Sequence, residues 1–304
     1  MTAIPVCGVL SDSLRSQRTR PLSCANPGGL RACAPIAAIA IALGGCSIPL
    51  ESLSKSAPPQ EEGTQQAATA SIVSLAQAIR KNPDDPINYN KRGLALAQAG
   101  KNEEALADFN KAISLDPNYG QAFANRGTLY RKSRRFEEAL ADYERALTLE
   151  PTYAPAWAGR GLIYKARNQT GEALEDFNKA IALRADDAEV FYNRGLLRQS
   201  EKQYLAAIDD FTAAHGLAPQ QVDPLLARAL SYLALGQAKE AAADLDEAVQ
   251  DDPQNAQLWT NRGLAYERLG DKSAAAASYG HAINLRPQDE AARTGFARVG
   301  GKPG

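Results

Sequence analysis

The chain has few of the residue types that most catalytic and metal sites require. Among its 304 residues there are only two histidines, His215 and His281, and four cysteines. The cysteines all lie near the amino terminus, at Cys7, Cys24, Cys33 and Cys46. The rest of the sequence therefore offers neither a disulfide framework nor a thiolate metal site. No strand that a phosphate-binding glycine loop could follow is predicted, so we expect no enzyme activity, no cofactor and no metal.

Neither sign of charge dominates the sequence. The chain has 34 basic and 35 acidic residues, for a formal net charge of −1. This balance excludes the strong positive field with which proteins bind nucleic acid or anionic membrane surfaces. Long apolar runs are also scarce, and the run at residues 34–45 is too short to span a bilayer as a helix.

Glycine and proline recur instead with one fixed period of 34 residues or its double. The glycines are Gly93, Gly127, Gly161, Gly195 and Gly263, with Ala229 at the position that lacks one. The prolines are Pro83, Pro117, Pro151, Pro219, Pro253 and Pro287. A period of this length predicts an array of structural repeats.

Six repeats follow one another without insertion or deletion. They are residues 86–119, 120–153, 154–187, 188–221, 222–255 and 256–289. In each, apolar and small residues fall at helical spacing in two blocks of roughly a dozen residues, which predicts two amphipathic helices. In the second repeat, Phe123, Gly127 and Tyr130 share one stripe of the first helix, and Pro151 ends the second.

The spacing within these repeats resembles that of the tetratricopeptide repeat. In the third repeat it is carried by Trp157, Gly161, Tyr164, Ala173, Phe177 and Ala180. The resemblance implies an all-α fold, an α-solenoid of six helix-turn-helix repeats in a right-handed superhelix. The first helix of each repeat should then line a concave face and the second a convex face. Such arrays need caps, and we predict a capping helix at 71–85 and a capping helix with a tail at 290–304.

An arginine at the seventh place of every repeat suggests a recurring ion pair. The arginines are Arg92, Arg126, Arg160, Arg194, Arg228 and Arg262. An aspartate follows sixteen residues later in five repeats, as Asp142 follows Arg126, whereas the sixth has Ser278. A half-buried guanidinium needs a partner, so we expect each arginine to cross to the second helix and bind that aspartate. The alternative is a row of arginines that binds anions.

The amino-terminal segment predicts export and lipidation. Arg31 precedes the apolar run, and Leu43 to Cys46 resembles the bacterial lipobox, whose cysteine is lipidated and becomes the first residue of the mature protein. We therefore interpret residues 1–45 as a signal peptide and Cys46 as the lipidation site. The upstream stretch is longer than such signals need, which suggests that translation starts later, near Leu30.

Residues 46–70 are rich in serine, proline and glutamine, and we predict a flexible tether there. Ser47, rather than aspartate, follows the cysteine. Under the sorting rule known from enteric bacteria, this favours the outer membrane, with the array facing the periplasm. Contact with the membrane is then expected only through the lipid.

By the same resemblance, a partner would bind in the groove formed by places two, five, six, nine, twelve and thirteen of the first helices. Leucine recurs at place nine and gives the groove an apolar floor. The candidate partner-binding residues are Asn90, Asn125, Arg131, Lys132, Lys165, Tyr192, Asn193 and Asn261. The lysine and asparagine of the dicarboxylate clamp found in co-chaperones are missing at places five and nine, so we do not expect chaperone tails to bind.

These features favour a non-catalytic scaffold in the bacterial cell envelope that binds a protein or peptide partner. The alternative is a soluble regulatory module, or an accessory subunit that presents substrate to an enzyme. Lipid labelling of Cys46 distinguishes the two.

Overall fold

The computed structural model describes residues 59–301, with side chains described from residue 68 onwards. Within this range the chain forms fourteen α-helices and no strand. The helices are α1 (Pro59–Lys81), α2 (Pro86–Gln98), α3 (Asn102–Leu115), α4 (Gly120–Lys132), α5 (Phe136–Leu149), α6 (Ala154–Ala166), α7 (Thr170–Leu183), α8 (Ala188–Ser200), α9 (Tyr204–Leu217), α10 (Asp223–Ala234), α11 (Ala238–Asp251), α12 (Ala256–Leu269), α13 (Lys272–Leu285) and α14 (Glu290–Arg298).

Consecutive helices form antiparallel pairs, as an α-solenoid of tetratricopeptide type requires. Helices α2, α4, α6, α8 and α12 begin at the first residue of a predicted repeat, and α10 begins one residue after Val222. Side chains fix several of these starts. The Asp85 carboxylate accepts a hydrogen bond from the Ile87 amide at 2.9 Å, which caps the first turn of α2.

The amino-terminal helix differs from the prediction. Helix α1 begins at Pro59, inside the predicted tether, and ends at Lys81 rather than Asp85. The prediction of a flexible tether is therefore wrong for residues 59–70. Proline is well suited to the first turn of a helix, and the glutamine, glutamate and alanine that follow in the sequence favour helix without any apolar periodicity. Cys46 and the predicted signal peptide lie outside the described residues.

The core lies between the two helices of each repeat and continues into the next repeat. Small residues of the second helices are fully buried, as at Ala139 and Ala146 in α5. The ring of Tyr143 is buried beside them and packs with Ile163 of the following repeat. Because each repeat buries its apolar face against a neighbour, no single repeat has a complete core.

The glycine at place eight admits the aromatic ring of the second helix. A Cβ atom on Gly195 would lie 2.6 Å from Cε1 of Phe211, so only glycine fits there without a shift of the ring. Repeat five lacks both residues: Ala229 replaces glycine, and Leu245 replaces the aromatic residue. Both are fully buried in one cluster, so the extra methyl group is accommodated by a smaller partner.

The predicted ion pair is confirmed in five repeats. Nε of Arg126 donates to Asp142 at 2.8 Å, and Nη2 donates to the other carboxylate oxygen at 2.7 Å. This fork-to-fork geometry raises the pKa of Arg126, chiefly through its hydrogen bonds to Asp142. The equivalent pairs are Arg92 with Asp108, Arg160 with Asp176, Arg194 with Asp210, and Arg228 with Asp244.

In repeat six, Arg262 finds a carboxylate in the preceding repeat. Its Nε donates to Asp246 at 2.6 Å, and its Nη1 donates to the Ser278 hydroxyl at 2.7 Å. All six arginines are thus bound to a carboxylate of the chain itself. They support the repeats internally, and the alternative of an anion-binding row is wrong.

Candidate partner-binding groove

The first helices form one continuous face of the array. Each of them contacts the first helix of the next repeat, from α2 to α4 and onward to α12 and α14. Among the described residues, the second helices of successive repeats make no such contacts with one another. The first helices therefore lie closer together than the second helices, which places them on the inner, concave side.

Leucines at place nine contribute apolar surface to this inner face. Leu94 is 40% exposed at its amino-terminal end. Leu196 and Leu230 are half-buried farther along. In repeat two the place is taken by Thr128, which makes the apolar strip discontinuous between repeats one and three.

Asparagine side chains of the first two repeats bond to each other. The Asn125 amide donates to Oδ1 of Asn90 at 2.9 Å, and the Asn90 amide donates to the Tyr119 hydroxyl at 3.0 Å. Asn90 is only 3% exposed, so its polar atoms must find partners inside the protein. The expectation that Asn90 faces a bound partner is therefore wrong. Asn125 is half-buried and links α4 to α2.

Lys165 and Asn193 form a second link between successive first helices. Nζ of Lys165 donates to Oδ1 of Asn193 at 2.6 Å, and the Asn193 amide donates to the Glu189 carbonyl at 2.8 Å. Burial lowers the pKa of Lys165, with the charge of Glu189 acting in the opposite direction. Both side chains are engaged inside the array, which corrects the expectation that they contact a partner directly.

The remaining candidates differ in how accessible they are. Tyr192 is half-buried, and its ring centroid lies 5.9 Å from that of Phe211. The Asn261 amide donates to the Gln257 carbonyl of its own helix at 2.8 Å. Lys132 is exposed at the last residue of α4. Of these three residues, Lys132 is the exposed one, whereas Tyr192 and Asn261 are half-buried.

Arg131 is the candidate that has a buried side-chain nitrogen without a hydrogen-bond partner among the described residues. Its Nε atom is inaccessible to solvent and has no hydrogen-bond partner in the described part of the chain. At the same place twelve, Lys165 reaches Asn193 at place six of the next repeat, and Gln199 reaches the Ala227 carbonyl. The residue at place six that follows Arg131 is Gly159, which offers no side chain.

The ring of Tyr143, in the preceding repeat, leaves room only for glycine at position 159. A Cβ atom at Gly159 would overlap the ring and hydroxyl of Tyr143. The same arrangement recurs at the end of the array, where a Cβ atom at Gly295 would overlap Tyr279. Repeats with phenylalanine at this place of the second helix, such as Phe109 and Phe177, precede Asn125 and Asn193 instead.

This relation between tyrosine and glycine was missed in the sequence, although its signal is present there. The two tyrosines at place 24 are each followed by a glycine at place six of the next repeat. The Tyr143 hydroxyl lies 3.0 Å from Oγ1 of Thr128, on the inner face beside Arg131. Burial raises the pKa of Tyr143, and the Thr128 hydrogen bond and the Arg131 charge partly oppose the shift.

The two histidines lie in different surroundings. His215 is partly buried, with Nε2 at 3.3 Å from a carboxylate oxygen of Glu247. His281 is exposed and its ring lies 4.1 Å from that of Trp259. In residues 59–301, no cluster of three or more histidine, cysteine or acidic side chains could hold a metal ion. Over the same residues, no helix is both long enough and apolar enough to cross a membrane.

Family models match most of the array. A model described as "Tetratricopeptide repeat" matches residues 120–153, and a second one of that description matches residues 256–289. A model described as "TPR repeat" matches residues 93–133, 161–202 and 229–270. A curated relative, small glutamine-rich tetratricopeptide repeat-containing protein 2 of Mycosarcoma maydis, is 30% identical over 78 residues. That match covers 24% of this chain and 22% of the relative's length.

Solved structures share the fold at low sequence identity. The pilF protein of Pseudomonas aeruginosa matches with a TM-score of 0.62 at 22% identity, covering 70% of this chain and 97% of that one. YrrB, described as a TPR protein with an unusual peptide-binding site, matches with a TM-score of 0.58 at 24% identity, covering 61% and 96%. PilW, described as a type IV pilus biogenesis factor, matches with a TM-score of 0.57 at 18% identity, covering 69% and 97%.

Proposed function

Because the chain belongs to the tetratricopeptide repeat family, we propose that it is a non-catalytic scaffold that binds a peptide or protein partner in its concave groove. Repeats of this kind mediate protein–protein interaction. The observation that carries the groove assignment is the inner face itself, which holds half-buried leucines and a buried Nε atom of Arg131 that has no hydrogen-bond partner in the described residues. An interior side chain of a self-sufficient helix bundle would have its donors satisfied.

A charge-reversal variant tests the groove. Arg131→Glu with Lys132→Glu should abolish capture of the partner by crosslinking in intact cells, since both residues lie in the last turn of α4 at places assigned to the groove. The matched control is Lys111→Glu with Lys179→Glu, which changes the same charge on exposed positions of second helices. Equal capture by both variants and the unmodified chain would move the partner to the convex face or to the amino-terminal segment.

We further propose that Cys46 is lipidated and holds the array in a bacterial cell envelope, at the outer membrane and facing the periplasm. The support is the order of features in the sequence: an apolar run at residues 34–45, then Cys46, then Ser47. Lipid chains on one cysteine would anchor the protein stably without a membrane-spanning helix.

Labelling with radioactive palmitate tests this anchor. Cys46→Ala should abolish the label and move the protein from the membrane to the soluble fraction, whereas Cys33→Ala should keep both. Separation of inner and outer membranes on a density gradient then assigns the membrane. If Cys46→Ala leaves label and fractionation unchanged, the chain is not a lipoprotein of this kind, and the soluble regulatory or substrate-presenting module takes its place.

A further inference from the structure

The two ends of the groove differ in charge. At the places assigned to the groove, repeats one to four carry four cations and one anion. The cations are Lys91, Arg131, Lys132 and Lys165, and the anion is Glu189. Repeats five and six instead carry Asp223, Glu267 and Arg268 at those places, so the excess of positive charge is confined to the amino-terminal part of the array. A partner segment that follows the groove meets cations at one end.

Within this basic part, Arg131 is distinguished by a buried Nε atom that has no hydrogen-bond partner within residues 59–301. Lys165 is already bound to Asn193, and Lys132 is exposed to solvent. Arg131 keeps a buried Nε without an acceptor because Gly159 presents no side chain opposite it. A buried donor that lacks a partner costs free energy, and the cost is recovered when an acceptor arrives.

At the end of the array, the same combination of tyrosine and glycine lies beside a carboxylate that is bound by hydrogen bonds. Tyr279 occupies the place of Tyr143, and Gly295 occupies the place of Gly159. There the Tyr279 hydroxyl donates to a carboxylate oxygen of Glu267 at 2.6 Å. The guanidinium of Arg298 donates to both oxygens of that carboxylate, at 2.7 and 2.8 Å. One carboxylate thus accepts from a buried tyrosine and a forked arginine.

The corresponding site at repeat two holds the tyrosine and an arginine but no carboxylate. Arg131 stands at place twelve, where repeat six has Glu267, and Leu162 stands in the register of Arg298. In the described residues, no acidic side chain forms an ion pair with Arg131. Repeat two therefore carries a cation beside the tyrosine where repeat six carries an anion, and it offers that cation no carboxylate from the following repeat.

We propose that the guanidinium of Arg131 binds a carboxylate of the partner peptide, with the half-buried leucines of repeats three to five holding apolar residues of the same segment. This inference rests on the proposed groove function and names the chemistry of its occupant. Arginine suits the role because its planar fork binds a carboxylate through two parallel hydrogen bonds, which are stronger where water is excluded. An acidic side chain and a free carboxyl terminus offer the same group.

Peptide display on the full chain tests the proposal. Two libraries of random decapeptides are selected, one with a free carboxyl terminus and one fused to its carrier at both ends. If an acidic side chain is the ligand, the unmodified chain should enrich aspartate or glutamate at one fixed position in the second library. If the free carboxyl terminus is the ligand, the chain should bind peptides of the first library only. Arg131→Met keeps an unbranched side chain of similar reach and should lose the acidic preference while retaining the apolar one. Lys132→Met is the matched control and should retain both.

A titration makes the result quantitative. For a selected peptide, replacing the enriched glutamate by glutamine should raise Kd about 10- to 100-fold with the unmodified chain, the range typical of a charge-assisted pair. The same replacement should change Kd less than about 2-fold with Arg131→Met. Circular dichroism reports whether each variant is folded, and Arg131→Gln replaces Arg131→Met if the latter is not.

The possible outcomes distinguish failure of the Arg131 site from failure of groove binding itself. Three outcomes would overturn the Arg131 site and leave groove binding intact. They are selection of peptides that need neither an acidic residue nor a free carboxyl terminus, persistence of that requirement in Arg131→Met, and its equal loss in Lys132→Met. Enrichment of no peptide from either library would overturn groove binding of a peptide as well, and this inference with it.

Discussion

At the scale of single residues, the arginine and aspartate pair explains why a charged side chain recurs where a repeat needs a packed helix interface. Asp142 is 5% exposed, and both of its oxygens accept from Arg126. Asp142→Ala leaves a half-buried guanidinium without its partner and should lower the free energy of unfolding by about 2–4 kcal/mol. Urea denaturation followed by circular dichroism measures the change.

A double-mutant cycle separates the pair from general packing. In a background that already carries Arg126→Met, the change from Asp142 to alanine should cost at least about 1 kcal/mol less than it does in the unmodified chain. Additive costs would mean that Asp142 stabilises α5 without help from Arg126.

Single residues also show which contacts could be predicted from the sequence. The ion pair recurs with the period of the repeat, so one chain supplies five comparisons and the contact follows from spacing alone. Asn90 bonds to Asn125 and Asn193 bonds to Lys165 across successive repeats, and neither pair of residues recurs at the same places of the other repeats. Such contacts depend on how helices cross in space, which periodicity does not contain.

At the scale of helices, the glycine at place eight and the residue at place 24 vary together. Gly195→Ala brings a methyl group within 2.6 Å of Phe211 and should lower stability by about 1–3 kcal/mol through overpacking. Adding Phe211→Leu to Gly195→Ala recreates the combination of Ala229 and Leu245 found in repeat five. The free energy of unfolding of this double variant should therefore be at least about 1 kcal/mol higher than the sum of the two single changes predicts.

Gly216 provides the control for this prediction. It lies in α9 as Phe211 does, but no atom stands within 4 Å of an added Cβ. Gly216→Ala should therefore be neutral or stabilising, because alanine favours helix more than glycine does. Thermal unfolding of the variants checks the series, and additive losses for Gly195→Ala with Phe211→Leu would contradict the pairing.

The boundaries of the helices were predictable where a period continued and were not where it stopped. Helices α4 and α6 begin at Gly120 and Ala154, the first residues of their predicted repeats. Helix α1 begins at Pro59, where no earlier repeat offers a comparison and polar helix formers give no amphipathic pattern. The groove could be assigned from the repeat, but the buried Nε atom of Arg131 and the interaction of Arg131 with Tyr143 of the next helix required the structure.

At the scale of the whole molecule, an array of repeats is held by contacts between neighbours, and in the described residues α14 packs against α12 and α13 alone. Helix α14 is joined to α12 through Arg298 and Glu267. The hydrogen bonds from Arg298, followed by the one from Tyr279, lower the pKa of Glu267 below its ordinary value of 4.5. A carboxyl group whose folded-state pKa is lowered stabilises the fold above the unfolded value and loses that contribution as the pH falls through the folded value.

Acid should therefore release α14 before the rest of the array. Burial raises the pKa of Tyr279, so its hydroxyl remains a protonated donor throughout this range, and the change belongs to Glu267. Amide hydrogen exchange of α14, expressed as protection factors, should fall relative to α4 and α6 as the pH drops from about 6 to below 4.5. Glu267→Gln should show low protection in α14 at both pH values, because its neutral amide binds Arg298 weakly. If the protection of α14 falls by the same amount in Glu267→Gln, the acid effect belongs to another group. If the protection of α14 in the unmodified chain stays constant, apolar packing of Phe296 alone holds this helix.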